Sequence, residues 1–372
     1  MKYRIPFIKP SFPPANDLAE DYAQIVSSNW FTNFGPYEQK LRQQIANYVG
    51  EGVSVCAVSN ATAGLEVAIR QLFAPPTAAK REVIMPSFTF AAGLDAILAQ
   101  GYTPVLIDVN DNWQPDHIQA ASYLAKYHKK VSGILLGNTF GVGNPNVEDW
   151  EALAKEHLLP LLIDSAAGFG SLYSDGTRVG AKGDCEVFSF HATKPFAIGE
   201  GGAITSRNAS LISRCIEATN FGFNADRKAS QIGTNAKMSE MSAAIGLRQM
   251  QGYDKRLALR RKSLLYYKNR LSGKNVKFQP NDENSTVPFV CVVFPTERQA
   301  KHVMNRLLHE GVEVKRYYDP LHCQPIFEYS HGKKLDLGRT EILAKRIIAM
   351  PLHDHMTDET INAIVELMDE GK

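Results

Sequence analysis

The chain has 372 residues, 44% of them hydrophobic and 22% charged, and its 41 lysines and arginines against 39 acidic residues leave a formal net charge of +2. So even a balance gives no electrostatic footprint for nucleic acid or an anionic membrane surface, and any anionic ligand has to be held by local geometry. A chain this long exceeds one small core and is expected to divide into a large domain, 1–250, and a smaller one, 251–372.

The opening "MKYRIPFIKPSFPP" carries prolines and charges where a secretory signal needs an apolar run, and no later stretch has the length of a membrane span. A soluble cytoplasmic protein is expected. From about residue 53 to 206, short apolar runs alternate with helical patterns, the signature of strand-helix-strand units around a mostly parallel sheet. "VSVCAVS" leads into "ATAGLEVAIRQLF", "EVIMPS" into "TFAAGLDAILAQG", and "TPVLIDV" closes that unit. After a loop, "VSGILLGN", the helix "VEDWEALAKEH" and "LPLLIDS" repeat the scheme, and "CEVFSF" and "GGAITS" follow with a short connection. Residues 208–272 read as long helices around a polar loop, "FGFNADRKASQIGTNAKM". The last hundred residues change character: a strand "VPFVCVVFP", a helix "ERQAKHVMNRLLHEG", a strand "VEVKRYY" and a terminal helix "DETINAIVELM" describe a compact α+β module. The five cysteines, Cys56, Cys185, Cys215, Cys291 and Cys323, are scattered and form no CxxC pair. They read as reduced thiols, several of them buried, with no disulfide framework and no metal site expected.

Open α/β sheets present ligands with the carboxyl ends of their strands. The polar residues falling there are Ser59-Asn60-Ala61-Thr62, Ser87 to Phe90, Asp164, and Ser189 to Lys194. The first group opens a helix with small, hydroxyl-bearing residues, where exposed amides and the helix dipole suit a phosphate; capping of the helix by Asn60 or Thr62 is the competing reading. Neither G-x-G-x-x-G nor G-x-x-x-x-G-K-[ST] is present, which sets aside dinucleotide and NTPase loops. Asp164 ends a very apolar strand, where a carboxylate either caps a turn or faces a cationic ligand atom. Phe90 reads as core or as a stacking platform. Lys194 stands at a chain reversal among glycines that allow close backbone approach. Together a phosphate nest, an aromatic wall, a carboxylate and an amine meet the needs of pyridoxal phosphate, whose aldehyde bonds an amine and whose protonated ring serves as an electron sink.

In their order and spacing, "NWFTNFGPYEQKLRQQIANYVG", "SNATAGLEVA", "PSFTFAAGLDAILAQGYTPVLIDV", "LLIDSAAGFGS", "FSFHATKPFAIGEGGAI", "GTNAKMSEMSAAIGLRQM", "DPLHCQPIF" and "MPLHDHMTDETINAIVELM" resemble the DegT/DnrJ/EryC1/StrS sugar aminotransferases over nearly the whole chain. The resemblance implies the fold-type I pyridoxal-phosphate aminotransferase architecture: a mostly parallel central sheet flanked by helices, with a smaller C-terminal α+β domain. By the same resemblance Lys194 is the Schiff-base lysine and Asp164 the partner of the ring nitrogen; Ala61, Thr62 and Ser189 hold the cofactor phosphate, and Phe90 stacks on the ring. Asn235 of "GTNAKM" reaches the phosphate of a neighbouring subunit, so the implied active site is shared within a homodimer. Ala167 departs from the family, whose members commonly carry Gln, Glu or His there; a water or another side chain is expected to fill the gap. A sibling group with His in place of the lysine dehydrates without transamination, an outcome that Lys194 disfavours.

The implied reaction moves an amino group from L-glutamate to a nucleotide-linked keto-sugar, for the amino sugars of a surface polysaccharide such as lipopolysaccharide or of a glycosylated metabolite. "SFHATK" followed by "GEGG" is closer to the C4-aminating relatives, with a dTDP-4-keto-6-deoxyhexose as the favoured substrate; C3 amination is the alternative within the family. Other uses of the cofactor, such as elimination, and a non-catalytic regulator of the same fold stand as competing readings, although the regulator lacks any basic face or helix-turn-helix extension. Candidates for the nucleotide sugar are Arg316, Tyr317 and His322 of "KRYYDPLH", while Arg227 and Lys228 in the polar loop read as solvated charges.

Overall fold

The computed structural model describes residues 3–368. Its strands run in chain order as β1 (Ser54–Val58), β2 (Glu82–Pro86), β3 (Thr103–Ile107), β4 (Val131–Gly137), β5 (Leu161–Asp164), β6 (Cys185–Ser189), β7 (Gly202–Ser206), β8 (Lys277–Phe278), β9 (Val290–Val293), β10 (Lys333–Lys334) and β11 (Ile347–Met350). Eight of them form the main sheet, ordered β1-β7-β6-β5-β4-β2-β3-β10, and three form a second sheet, β11-β9-β8. All neighbours in the main sheet are parallel except the two pairs made by β7. Strands of such a sheet are covered on both faces, so they must be apolar throughout rather than alternating. β2 and β4 obey this, with every residue buried.

One apolar layer, containing Trp150, Phe188 and Tyr253, covers one face, and another, containing Leu65, Ile97 and Leu106, covers the other. A third core joins Val292 and Ile348 of the second sheet to Val303, Leu307 and Ile361 of the helices Glu297–His309 and Asp358–Leu367. The helix Tyr253–Arg270 spans both regions: Tyr253 and Leu257 belong to the first core, Leu264 and Tyr267 to the third. The chain also crosses between them twice. Ile5 bridges Val312 and lies in the third core, while β10 returns from the C-terminal region to pair with β3 on the edge of the main sheet.

Two expectations change. The stretch read as a loop before "VSGILLGN" holds the helix His117–Tyr127, capped by Asp116, whose carboxylate accepts from the amides of Ile118 and Gln119. Ala120, Tyr123 and Leu124 supply its buried face at helical spacing. "VEVKRYY" is not a continuous strand. Val312 bridges Ile5 and Lys315 bridges Ala349, so two different partners interrupt what would have been one ladder.

Candidate active site

Every strand of the main sheet but β7 points the same way, so their carboxyl ends meet at one edge. Val58, Gly202 and Ser189 lie side by side there across β1, β7 and β6. Past Val58 the chain enters the helix Ala61–Leu72, where extended Asn60 caps the first turn by accepting from the Ala63 amide at 2.9 Å. The capping reading and the cradle reading therefore both have a place: Asn60 serves Ala63, and the amides of Ala61 and Thr62 stay without a partner among the described residues. A Cβ on Gly202 would stand 3.1 Å from the Ala61 nitrogen and 2.5 Å from the Phe188 carbonyl oxygen. Glycine keeps this cradle open. Ser189, buried at the end of β6, takes the His191 amide on its hydroxyl at 3.3 Å.

Lys194 lies in a tight reversal closed by Phe190 donating to Gly201, Ala192 to Gly199, Ile198 to Phe190, and Lys194 itself to the His191 carbonyl. Gly199, at φ +96°, adopts the left-handed conformation that this reversal needs. Asp164 at the end of β5 accepts the Ala166 amide on Oδ1 at 3.0 Å. The two side chains act on each other. Burial pushes the Lys194 amine below its ordinary value, opposed by the Asp164 carboxylate; burial pushes Asp164 up, opposed by the Ala166 amide and then by Lys194. The Lys194 amine makes no hydrogen bond or ion pair among the described residues. A half-buried, unpartnered amine within the field of a carboxylate, together with a helix start with open amides, fits a phosphorylated pyridine aldehyde.

Phe90, 62% exposed, stands at the rim, its ring 6.5 Å from that of Tyr318. Tyr318 stacks on Phe140 at 5.1 Å and meets Phe88 edge-on at 5.6 Å. Burial raises its hydroxyl pKa, and the Asp164 charge adds to the rise. The sequence reading singled out its neighbour: Tyr317 packs instead between Phe7 and Phe289. Nothing in "RYYD" distinguishes the two before the fold is known. Arg316 donates to the Ala344 carbonyl at 2.8 Å. His322, with a side chain 3% exposed, lies 2.7 Å from the Ser87 hydroxyl by Nδ1 and 3.4 Å from Glu341 by Nε2. These contacts bind the C-terminal region to the end of β2. Asn235 is exposed and accepts from the Lys237 ammonium at 2.7 Å, next to the Ala236 carbonyl that takes the Ser59 amide. Arg227 and Lys228 are exposed in the polar loop. The Thr139–Gly141 turn packs on the Ala167 backbone: a Cβ on Gly141 would lie 2.4 Å from the Ala167 carbonyl oxygen, which accepts the Thr286 hydroxyl at 2.6 Å.

A mostly parallel sheet that brings a half-buried lysine, an aspartate and a glycine-lined helix start to one edge is the architecture of the pyridoxal-phosphate-dependent aminotransferases. Residues 15–369 match the DegT/DnrJ/EryC1/StrS aminotransferase family, and the chain belongs to it. Protein Rv3402c of Mycobacterium tuberculosis H37Rv is 42% identical over 373 residues, covering 99% of this chain and 90% of its own length. The dTDP-4-amino-4,6-dideoxy-D-glucose transaminase of Shigella dysenteriae is 28% identical over 376 residues, 98% of each chain. The crystal structure of DesI in the presence of its TDP-sugar product superposes with a TM-score of 0.85 at 31% identity, covering 96% of this chain and 90% of that one. No helix among the described residues is long and apolar enough to cross a membrane.

Proposed function

We propose that the protein moves the amino group of L-glutamate to the keto carbon of a nucleotide-linked sugar, with C4 of a dTDP-4-keto-6-deoxyhexose as the favoured acceptor. The observation that carries this reading is the half-buried Lys194, whose amine has no hydrogen-bond partner among the described residues and feels the Asp164 charge. The Shigella transaminase and the TDP-sugar complex of DesI support the substrate class, and the 4-amino sugar of the Shigella enzyme supports the C4 choice.

Pyridoxal phosphate, when bound, supplies an aldehyde for amine exchange and a ring that accepts an electron pair. Ala61, Thr62 and Ser189 would hold its phosphate, Asp164 its ring nitrogen, and Phe90 one face. Burial favours the uncharged form of Lys194, the form a general base needs, so Nζ takes the proton from the α-carbon of the donor. In the second half-reaction the same Nζ returns a proton to the sugar carbon that gains nitrogen. Asp164 accepts at Oδ1 from Ala166, which leaves Oδ2 to hold a protonated ring nitrogen. The active unit is a homodimer: Phe221, Phe223 and Ile232 are 50%, 37% and 75% exposed on the loop that ends at Asn235, which reaches the partner's phosphate. Four of the five free cysteines are buried, in keeping with a reducing cytoplasm.

Purified protein incubated with pyridoxal phosphate should show a visible absorbance band that glutamate bleaches. A panel of dTDP-, UDP- and GDP-linked 3-keto and 4-keto sugars should then restore the band with one acceptor class. Lys194→Ala should lose both the band and turnover. Undiminished turnover in that variant would overturn the assignment.

A further inference from the structure

We propose that Glu186 is a positioning residue that fixes the turn carrying Asp164. The inference rests on the reading of Asp164 given above.

Glu186 stands in the middle of β6, fully buried and level with Ile163 of β5. An ionised carboxylate in such a place loses several kcal/mol of hydration unless its oxygens find donors. They find four. Oε1 accepts the backbone amides of Gly180 at 2.7 Å and Lys182 at 3.0 Å. Oε2 accepts the hydroxyls of Ser165 and of Tyr173, the latter at 3.0 Å. Among the described residues no cation pairs with it: the Lys182 ammonium is engaged by Glu148 and Asp175. Burial raises the Glu186 pKa and the four donors oppose the rise. An apolar side chain of that size would leave all four buried donors without an acceptor, a costly exchange. What the carboxylate adds is order among its donors.

Ser165 is the donor that matters for the site, because it follows Asp164 directly. Its hydroxyl also accepts from the Asn138 side chain at 2.8 Å, and the Asn138 amide donates to the Asp164 carbonyl at 3.0 Å. The turn is therefore held by backbone bonds, at the Asp164 carbonyl, from the Ser165 amide to the Val187 carbonyl at 2.9 Å and from the Ser189 amide to the Ala166 carbonyl at 3.2 Å, and by two side-chain bonds, at the Ser165 hydroxyl and at the Asp164 carboxylate through Ala166. Without the tether on Ser165 the turn keeps only its backbone bonds to β6 and to Asn138, and the Ala166 amide that orients the Asp164 carboxylate opens more often.

The test compares Ser165→Ala with Tyr173→Phe in the full chain. Each removes one donor from the same carboxylate; Ser165 belongs to the Asp164 turn, whereas the Tyr173 hydroxyl reaches it only at one remove, by accepting from the Asn138 side chain at 3.1 Å. Amide hydrogen exchange at Ala166 is measured on the cofactor-free protein, with global unfolding measured beside it. Ser165→Ala should speed that exchange about ten-fold, the equivalent of one lost hydrogen bond, and Tyr173→Phe less than about two-fold. In a Glu186→Gln background, adding Ser165→Ala should bring little further acceleration, since both act on one link. Equal acceleration in the two single variants, or none in Ser165→Ala, overturns the proposal. If Glu186→Gln does not fold, the two single variants decide. On loaded enzyme, Ser165→Ala should lower kcat while leaving KM for the sugar unchanged, as expected for an interaction made in the transition state. Wild-type protein that binds no pyridoxal phosphate would refute the proposed function and leave the exchange result standing.

Discussion

Gly202→Ala probes the phosphate cradle most directly. The added methyl carbon would lie 2.5 Å from the Phe188 carbonyl oxygen and 3.1 Å from both the Ala61 nitrogen and the Val58 side chain. The first two obstacles are backbone, and Gly202 is paired in register with both Val58 and Ser189, so β7 cannot yield toward either neighbour. Overpacking of this kind costs about 1–3 kcal/mol of stability. The methyl also covers the Ala61 amide, and losing one hydrogen bond to a charged phosphate, about 1.5–3 kcal/mol, weakens binding by roughly ten- to a hundred-fold. Urea unfolding of the cofactor-free protein reads the first effect, and titration with pyridoxal phosphate by visible absorbance reads the second. Pyridoxal, which has no phosphate, serves as the control ligand and should bind the variant about as well as wild type. Equal losses for both ligands, or undiminished affinity for pyridoxal phosphate, would refute a phosphate site at Ala61.

Asn60→Ala removes the cap on Ala63 and should lower stability by about 1 kcal/mol in urea unfolding. Burial, then His355, Arg260 and Lys9, lowers His353 from 6.5 to about 4. The unfolded chain takes up a proton in that interval that the folded protein refuses, so stability is full above pH 6.5 and falls by about 3 kcal/mol as pH drops toward 4. His353→Asn should flatten that part of the curve; an unchanged slope would exclude His353 as its source. Glu38 runs the other way: burial raises it from 4.5 to about 6 against the opposing Arg42, so its folded form holds a proton that the unfolded chain releases. Stability should fall by about 2 kcal/mol as pH climbs through that window, and Glu38→Gln should remove this component from urea midpoints measured at pH 4.5 and 6.5.

The strands were legible because a sheet buried on both faces demands uninterrupted apolar runs, and the polar residues ending those runs had to fall on one edge. That logic is local, and it brought Lys194, Asp164, Ser189 and the Ala61 helix start into one neighbourhood. What it could not reach depends on contacts between distant segments. Choosing Tyr318 over Tyr317 requires knowing that Phe88 and Phe140 stand on one side of the segment and Phe7 and Phe289 on the other. The burial of His322 against Ser87 joins positions 235 residues apart. Nothing in "CEVFSF" marks Glu186, since its four donors come from three separate turns. The helix His117–Tyr127 was a different kind of omission, because its capping aspartate and helical spacing stand in the sequence itself.

The two crossings of the chain constrain its synthesis. The Phe7 amide donates to the Glu313 carboxylate, 306 residues later, and β3 gains its outer neighbour only when Lys333 and Lys334 arrive. A ribosome-bound chain must therefore hold the segment around Phe7 in waiting until Glu313 emerges, and carry an open strand edge until Lys334 does. Closing so long a loop is slow rather than greatly destabilising. Nascent chains halted after β9 should thus be more prone to pair edge to edge than the finished protein.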